Sequence, residues 1–304
     1  MLSATDFWMC CAGLVSLAAG VFVLRREIGA ARGWDKLIAL GTVFIAASLA
    51  AFAPEHFRGP QFIQNVVPRW MPARAFWPRF IGCALLAAAA SLTARKCVGL
   101  SSTLLALMFS LFVCLIYLPS ALAHYSVRLA WVLLLRDLSF AAGAWALAGL
   151  HSRTSSPRSA QWMISFARLA IAVAAIFFAV QHFLHPQFAP GVPSIKVPPS
   201  WVPFPSAWAY ASGVILLSAG IGLALDTQSR RAATSIGALM TVLTLFLYLP
   251  ILILSHGSAA INEAMNYVAD TLLYAGAALV LASALPRVPE RAMNLASFNW
   301  GAKC

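Results

Sequence analysis

Long apolar runs alternate with short polar segments along most of this chain. A helix needs ~20 mostly apolar residues to cross the ~30 Å hydrocarbon core of a bilayer. Because irregular backbone cannot face lipid, each run predicts a membrane-spanning α-helix. The nine predicted spans are residues 7–24, 38–54, 77–94, 101–119, 129–149, 163–182, 207–225, 233–254 and 264–285.

Composition strengthens this prediction. The chain has 304 residues, of which 61% are hydrophobic and only 10% are charged, whereas a soluble domain carries about 25% charged residues. The mean hydropathy is +0.82. No segment outside the spans is long enough to bury a core of its own. The fold class is therefore predicted to be all-α and polytopic transmembrane.

The net charge of +12 does not indicate nucleic-acid binding, because the basic residues fall in short clusters in every second loop. This arrangement is typical of cytoplasmic loops, and membrane lipids with anionic head groups are the expected partners. The clusters are Arg25, Arg26, Arg32 and Lys36; Arg95 and Lys96; Arg153 and Arg158; Arg230 and Arg231; and Arg287, Arg291 and Lys303.

Nine spans with basic loops inside place the N-terminus outside and the C-terminus in the cytoplasm. The first span has two interpretations, a signal peptide or an uncleaved anchor. A signal peptide has a basic region before its apolar run. Here Arg25 and Arg26 follow the run and no basic residue precedes it, so we favour the anchor.

The chain contains an internal repeat. The pattern His-Phe-x-x-Pro-Gln-Phe begins at His56 and again at His182, and five extra residues then enter the second copy. After them, a constant offset of 131 residues aligns many uncommon residue types. The aligned pairs are Trp70 with Trp201, Pro72 with Pro203, Trp77 with Trp208, Gly82 with Gly213 and Tyr117-Leu118-Pro119 with Tyr248-Leu249-Pro250; two further residues of offset align Asp137 with Asp270 and Gly143 with Gly276.

Each copy contains four spans, so both enter the membrane from the same side and form parallel repeats. An additional span precedes the first copy. The predicted organisation is an N-terminal helix with a basic loop (1–37), a first four-helix unit (38–150), a cytoplasmic linker (151–162), a second four-helix unit (163–286) and a cytoplasmic tail (287–304).

The repeated polar residues gather at one depth. His56 and His182 end the first helix of each unit, and Tyr117 and Tyr248 end the third. Asp137 and Asp270 lie about eight residues into the fourth helix, or roughly 12 Å deep. An intramembrane acid is costly, so each should face the bundle interior with a partner. The histidine, the tyrosine and Arg136 are the possible partners, although Arg136 and Asp137, about 100° apart on the helix, should not pair directly.

Three interpretations of this set stay open. Each unit could hold a pocket for a quinone or lipid head group bordered by its Asp, His and Tyr. The acids could instead bridge helices structurally, or line a transport path. Trp70, Trp77, Trp201 and Trp208 are predicted interface anchors. Asn262, Glu263 and Asn266 suit caps of the last helix. The six cysteines form no C-x-x-C pair, and most lie in apolar runs, so they are predicted to be small buried hydrophobes. No metal site or soluble cofactor site is predicted.

The two motif stretches, His56–Gly82 with Val67-Pro68-Arg69-Trp70-Met71-Pro72 and His182–Gly213 with Pro199-Ser200-Trp201-Val202-Pro203, resemble the DoxX family of four-helix bacterial membrane proteins. The resemblance covers roughly 38–150 and 160–286 and implies an inner-membrane location. Members of the family often carry an acid three positions after the helix-opening glycine. Leu85 and Leu216 stand there in this chain, so no role of that acid carries over.

The resemblance implies membrane subunits of quinone-linked sulfur or thiol oxidation, or partners of redox-stress complexes. The first hypothesis is therefore an accessory subunit of such an assembly, with quinone as the possible cofactor and redox subunits as partners, and not a stand-alone enzyme. A second is a scaffold that binds partner helices through the small-residue faces Ala84–Ala90 and Ala275–Ala278. A third, weaker hypothesis is a small-solute transporter.

Overall fold

The computed structural model describes residues 3–58, 63–192 and 195–287. The described residues form α-helices and no β-strand. The helices are α1 (Ala4–Ala30), α2 (Asp35–Ala39), α3 (Gly41–Arg58), α4 (Phe76–Ala94), α5 (Val98–Ala123), α6 (Arg128–Ser152), α7 (Pro157–Leu184), α8 (Pro205–Ala224), α9 (Ser229–Leu254) and α10 (Ser258–Ala284). The first copy's Pro-Gln-Phe, at 60–62, and the basic residues Arg291 and Lys303 lie outside the described residues.

Eight of these helices are long and apolar enough to cross a membrane, which identifies an integral membrane protein. They are α1 and α4–α10. The ninth predicted span, 38–54, begins at the end of α2 and continues over most of α3, which is an 18-residue helix. Its last turns contain Pro54, Glu55, His56 and Arg58, and these polar residues lower its hydropathy. The count of nine spans therefore stays a prediction.

The first helix begins three residues before its predicted span because its start carries a capping box. The Ser3 hydroxyl accepts the Asp6 backbone N–H at 3.1 Å, and the Asp6 carboxylate accepts the Ser3 N–H at 3.0 Å. The helix packs against α3. A hydrogen bond of 2.9 Å between the Ser16 and Thr93 hydroxyls also joins it to α4.

Two helices are interrupted by a π turn in the same place. Val113–Tyr117 forms this turn in α5, and Thr244–Tyr248 forms it in α9. Each turn is followed two residues later by a proline, Pro119 or Pro250. A proline lacks an N–H and its ring presses on the preceding turn, and a widened turn relieves that contact. The shared Tyr-Leu-Pro sequence thus explains the shared distortion.

The offset of 131 residues also relates backbone features that the side chains alone do not predict. Both π turns obey it, as do three pairs of non-glycine residues with positive φ at helix boundaries. A positive φ is unfavourable for residues with a Cβ atom, so its recurrence at matching positions is informative. The three pairs are Ala73 with Phe204, Arg95 with Asp226 and Cys97 with Gln228.

The centre of the molecule is formed by α6 and α10, which are the most buried of the spanning helices. They pack against each other, α6 also packs on α7, and α10 also packs on α3. Glycines permit these close approaches. A Cβ atom on Gly143 would lie 2.7 Å from the Cα of Ala277, and one on Gly276 would lie 2.8 Å from the Gly41 carbonyl oxygen.

The small-residue face Ala275–Ala278, predicted to bind partner helices, is buried inside the chain. It is not accessible to a partner protein because α10 packs on α3, α6 and α9 within the molecule. On α4, within the other predicted face, Ala87 and Ala90 are exposed while Ala88 and Ala89 are buried. Only this second face remains available to another protein.

The basic loops meet at one end of the helical bundle. Arg95 is paired with Glu27, and Asp35 is paired with Arg230 at 2.8 Å and Arg287 at 2.9 Å. These contacts join loops that are distant in sequence. They bring the predicted cytoplasmic clusters to a common surface, while the identity of that side as the cytoplasm stays a prediction.

The prediction that most cysteines are buried small hydrophobes is wrong, because none of the five described cysteines is fully buried and Cys10 and Cys11 are only half-buried. Cys83, Cys97 and Cys114 are exposed free thiols. Cys83 and Cys114 lie within the spans α4 and α5, on faces that turn away from the helical core. An apolar run does not distinguish lipid-facing from core-facing positions when both surroundings are apolar, and the sequence therefore misassigned them.

Candidate functional site

A cavity of about 570 Å³ lies among α3, α4, α5, α6 and α10. Most of its wall is apolar and aromatic, and comes from α4, α5 and the segment before α4. Its polar side chains come from α3, α6 and α10, with Tyr117 from α5. The polar lining residues are Glu55, His56, Tyr117, Arg136, Asp137, Asn266 and Asp270; the aromatic ones include Phe52, Trp77, Phe80, Phe109, Phe112 and Phe140.

Arg136 is the centre of the polar region. Its Nε and Nη2 atoms donate to Oδ2 of Asp137 at 3.0 and 2.9 Å. The prediction that these sequence neighbours would not pair is wrong. The angular argument holds for short side chains, but the long guanidinium side chain of arginine folds along the helix and reaches its neighbour. The acid is buried, with 4% of the residue exposed.

The same guanidinium binds the acid of the other copy. Arg136 Nη1 donates to Oδ2 of Asp270 at 2.9 Å, so α6 and α10 are joined by one cation between two carboxylates. The prediction placed one acid in each of two separate pockets. The structure brings both acids into one cluster because the two helices that carry them pack directly together. Ala269 occupies the place of Arg136 in the second copy, so one arginine serves both.

Asp137 and Asp270 lie slightly deeper along their helices than predicted. Asp137 follows the start of α6 by nine residues and Asp270 follows the start of α10 by twelve, which correspond to about 14 Å and 18 Å along the helices. The last helix begins at Ser258, six residues before its predicted span. The predicted capping role of Asn262, Glu263 and Asn266 is wrong for this reason, since they lie inside the helix.

Tyr117 and His56 border the cavity beside this cluster. Arg136 Nη2 donates to the Tyr117 hydroxyl oxygen at 3.5 Å. Because the guanidinium has no acceptor, the Tyr117 O–H can donate only to another group. The Nδ1 atom of His56 lies 3.1 Å from the Phe52 carbonyl oxygen. A carbonyl only accepts, so Nδ1 carries the proton, and Nε2 of the neutral ring is an acceptor.

His182 and Tyr248, the matching residues of the second copy, do not border this cavity. His182 Nδ1 donates to the Phe178 carbonyl at 2.5 Å, and its Nε2 accepts the Gly191 backbone N–H at 2.9 Å. The Tyr248 hydroxyl donates to the Pro190 carbonyl at 2.6 Å. Both side chains are almost fully buried, and their hydrogen bonds hold a loop.

Glu55 and Asn266 line the cavity and were not predicted as site residues. One signal was present in the sequence. Asn262, Asn266 and Asp270 are spaced four residues apart, which places them on one face of a helix. That face leads from the start of α10 toward the arginine cluster. Asn266 Nδ2 donates to the Asn262 backbone carbonyl at 3.1 Å, so these two polar residues of the face are hydrogen-bonded to each other.

The four predicted interface tryptophans differ in their surroundings. Trp70, Trp201 and Trp208 are exposed. Trp77 is half-buried, donates from Nε1 to the Pro72 carbonyl at 2.9 Å and forms part of the cavity wall. Three of them therefore present their rings to the surroundings, as an interface anchor requires, while Trp77 also shapes the site.

No protein-family model, curated protein or solved structure matches this chain. The DoxX-like resemblance stays a prediction from the sequence pattern. Within residues 3–58, 63–192 and 195–287, no group of three or more His, Cys, Asp and Glu side chains is placed to hold a metal ion.

The arrangement is suited to hold a molecule that is apolar along most of its length and polar at one end. The aromatic walls can surround the apolar part of such a molecule, and Tyr117 and Arg136 supply hydrogen-bond donors at the polar end. The paired acids fix the guanidinium in place. Such preorganised donors favour an acceptor such as a carbonyl oxygen.

Proposed function

We propose that this protein is a membrane-embedded binding subunit for a quinone, within a quinone-linked redox assembly. The observation that carries the proposal is the cavity of about 570 Å³, which has aromatic walls and a polar end built around Arg136, Tyr117 and His56. Ligand pockets have volumes of about 300–1,000 Å³ and combine apolar walls with a few placed polar groups.

A quinone matches both parts of this cavity. Its flat ring suits aromatic walls formed by residues such as Trp77, Phe109 and Phe140. Its carbonyl oxygen is an acceptor for the Tyr117 hydroxyl. Its apolar tail suits a site inside a helical membrane protein, since the ligand can enter from the bilayer.

The proposal includes the wider architecture. The chain is a tandem duplication of a DoxX-like four-helix unit with one added N-terminal helix, in a bacterial inner membrane with its basic end in the cytoplasm. The matching π turns and positive φ values at one offset support the duplication. The gathering of arginines at one end supports the orientation.

A quinone titration with a matched pair of variants tests the binding function. Decyl-ubiquinone is added to the purified protein in nanodiscs, and the bound amount is measured by native mass spectrometry. Tyr117→Phe removes the hydroxyl at the cavity and is expected to weaken binding about tenfold, the equivalent of one hydrogen bond of ~1.4 kcal/mol. Tyr248→Phe makes the same chemical change away from the cavity and should leave binding unchanged.

The two acids provide a further arm of this experiment. In the Asp137→Asn/Asp270→Asn double variant, Arg136 loses the carboxylates that orient it, so quinone occupancy should fall while the protein still inserts in the membrane. Binding that is unaffected by both Tyr117→Phe and the double variant would remove the proposal.

A further inference from the structure

The histidine and tyrosine that recur in both copies, His56 with Tyr117 and His182 with Tyr248, have different hydrogen-bond partners in the two copies. In the second copy a peptide group lies between the two side chains. The Pro190 carbonyl accepts the Tyr248 hydroxyl at 2.6 Å, and the Gly191 N–H donates to His182 Nε2 at 2.9 Å. One planar amide thus satisfies both side chains, with its acceptor and its donor on opposite sides.

This peptide group belongs to the five extra residues of the second copy. When the gap directly follows the shared His-Phe-x-x-Pro-Gln-Phe pattern, the insertion is 189–193. Residues 189–192 are buried in the core, and the Ala189 N–H donates to the Lys196 carbonyl at 2.8 Å. Gly191 has φ +117° and lies against Leu243 and Tyr248, where a side chain would be strained.

The first copy lacks the insertion, and its His56 and Tyr117 border the open cavity. The two histidines have the same tautomer, because Nδ1 of each faces a carbonyl oxygen four residues earlier, that of Phe52 or Phe178. The first copy therefore presents the same pair of groups, an acceptor at His56 Nε2 and a donor at the Tyr117 hydroxyl.

We infer that the Pro190–Gly191 peptide is a built-in substitute for the ligand, and that the cavity ligand has an acceptor for Tyr117 and an O–H or N–H donor for His56. Within the quinone class proposed above, on which this inference rests, the reduced hydroquinone meets both requirements. The oxidised quinone has only acceptors. The chain thus holds one exchangeable ligand, in its reduced form, and one permanent internal plug.

Three forms of one probe test the donor requirement. Decyl-hydroquinone under anaerobic conditions, its di-O-methyl ether and the oxidised decyl-quinone share a ring and a tail but differ in their O–H donors. The hydroquinone is expected to bind the wild-type protein about tenfold or more tightly than either other form. Equal affinities for the hydroquinone and its ether would overturn the inference.

Variants of the histidine identify the acceptor. His56→Leu removes Nε2 and should abolish the preference for hydroquinone, while His56→Gln supplies a side-chain oxygen acceptor and should restore part of it. A preference that survives His56→Leu contradicts the inference. If no form of the probe binds the wild-type protein, the proposed function itself fails, whereas binding without preference removes only the inference.

The insertion supplies an independent test. Deletion of 189–193 should open the second copy and raise the hydroquinone stoichiometry from one to two for each chain. Transfer of the same Ala-Pro-Gly-Val-Pro sequence to the position after Phe62 should fill the first copy and abolish binding. A folded transfer variant that retains wild-type affinity contradicts the plug, even if the deletion variant does not fold.

Discussion

The shared arginine provides the sharpest prediction about stability. Arg136 makes three hydrogen bonds of 2.9–3.0 Å to the two carboxylates, two to Asp137 and one to Asp270. With both acids ionised the trio has a formal charge of −1. The variant Arg136→Gln makes this charge −2 in a largely buried site, whereas Asp270→Asn makes it zero.

The magnitudes follow from this charge difference. Removal of one partner from a buried ion pair costs about 3–5 kcal/mol, because a charge is left without compensation. We therefore expect Arg136→Gln to lower the free energy of unfolding by about 3–5 kcal/mol. Asp270→Asn removes one charge-assisted hydrogen bond and leaves a neutral pair, so its cost should be about 1.5–3 kcal/mol.

A triple variant distinguishes charge imbalance from lost packing. Arg136→Met/Asp137→Leu/Asp270→Leu removes all three charges and keeps similar volumes, and replacement of a whole buried charge cluster in this way is often nearly neutral. It should therefore be more stable than Arg136→Gln. The free energy of unfolding is measured by reversible SDS titration in mixed micelles, with helical circular dichroism as the signal.

Arg158→Gln is the matched control, because Arg158 is exposed and its loss should change stability by less than about 0.5 kcal/mol. The reasoning is refuted if Arg136→Gln is no more destabilising than Asp270→Asn, or if the triple variant is less stable than Arg136→Gln.

Two further predictions concern packing and orientation. Gly143→Ala should lower the free energy of unfolding by about 1–3 kcal/mol, because the new methyl group overlaps Ala277 and separates α6 from α10. Gly29→Ala is the control and should not lower it, because a Cβ there meets no atom within 4 Å. Equal effects of the two variants in SDS titration would contradict the close approach of α6 and α10. In a variant with Cys97 as its single cysteine, a membrane-impermeant maleimide should label this exposed thiol only from the cytoplasmic side, and labelling from outside would reverse the proposed orientation.

Much of the helical architecture could be predicted from the sequence because hydrophobic length is a strong signal in membranes. Helix boundaries were less predictable. The capping box at Ser3 and Asp6 begins α1 earlier than its apolar run does. The last helix likewise begins at Ser258, well before the apolar segment that was recognised. Local capping and tertiary packing decide these ends, and neither is part of a hydropathy pattern.

Four residues of the candidate site could be predicted from the sequence, but their arrangement could not. The repeat identified His56, Tyr117, Asp137 and Asp270, which all line one cavity. That both acids meet at Arg136 depends on which helices pack together, and helix pairing leaves little trace in a uniformly apolar sequence.

The five extra residues of the second copy were visible in the alignment, but their position between His182 and Tyr248 was not. A loop of this length can project from a bundle or enter it. Burial of Ala189 and Val192 in the core follows from contacts with elements that are distant in sequence. The difference between an open and a filled copy is therefore a property of the three-dimensional structure.

The most direct test of the central claim is a cryo-electron microscopy map of the protein in nanodiscs saturated with decyl-hydroquinone. The account predicts density for one ring in the cavity among α3, α4, α5, α6 and α10, in contact with Tyr117 and His56, and continuous protein density at Pro190–Gly191 beside His182. An empty first cavity, or a ligand bound only elsewhere on the protein, would contradict it.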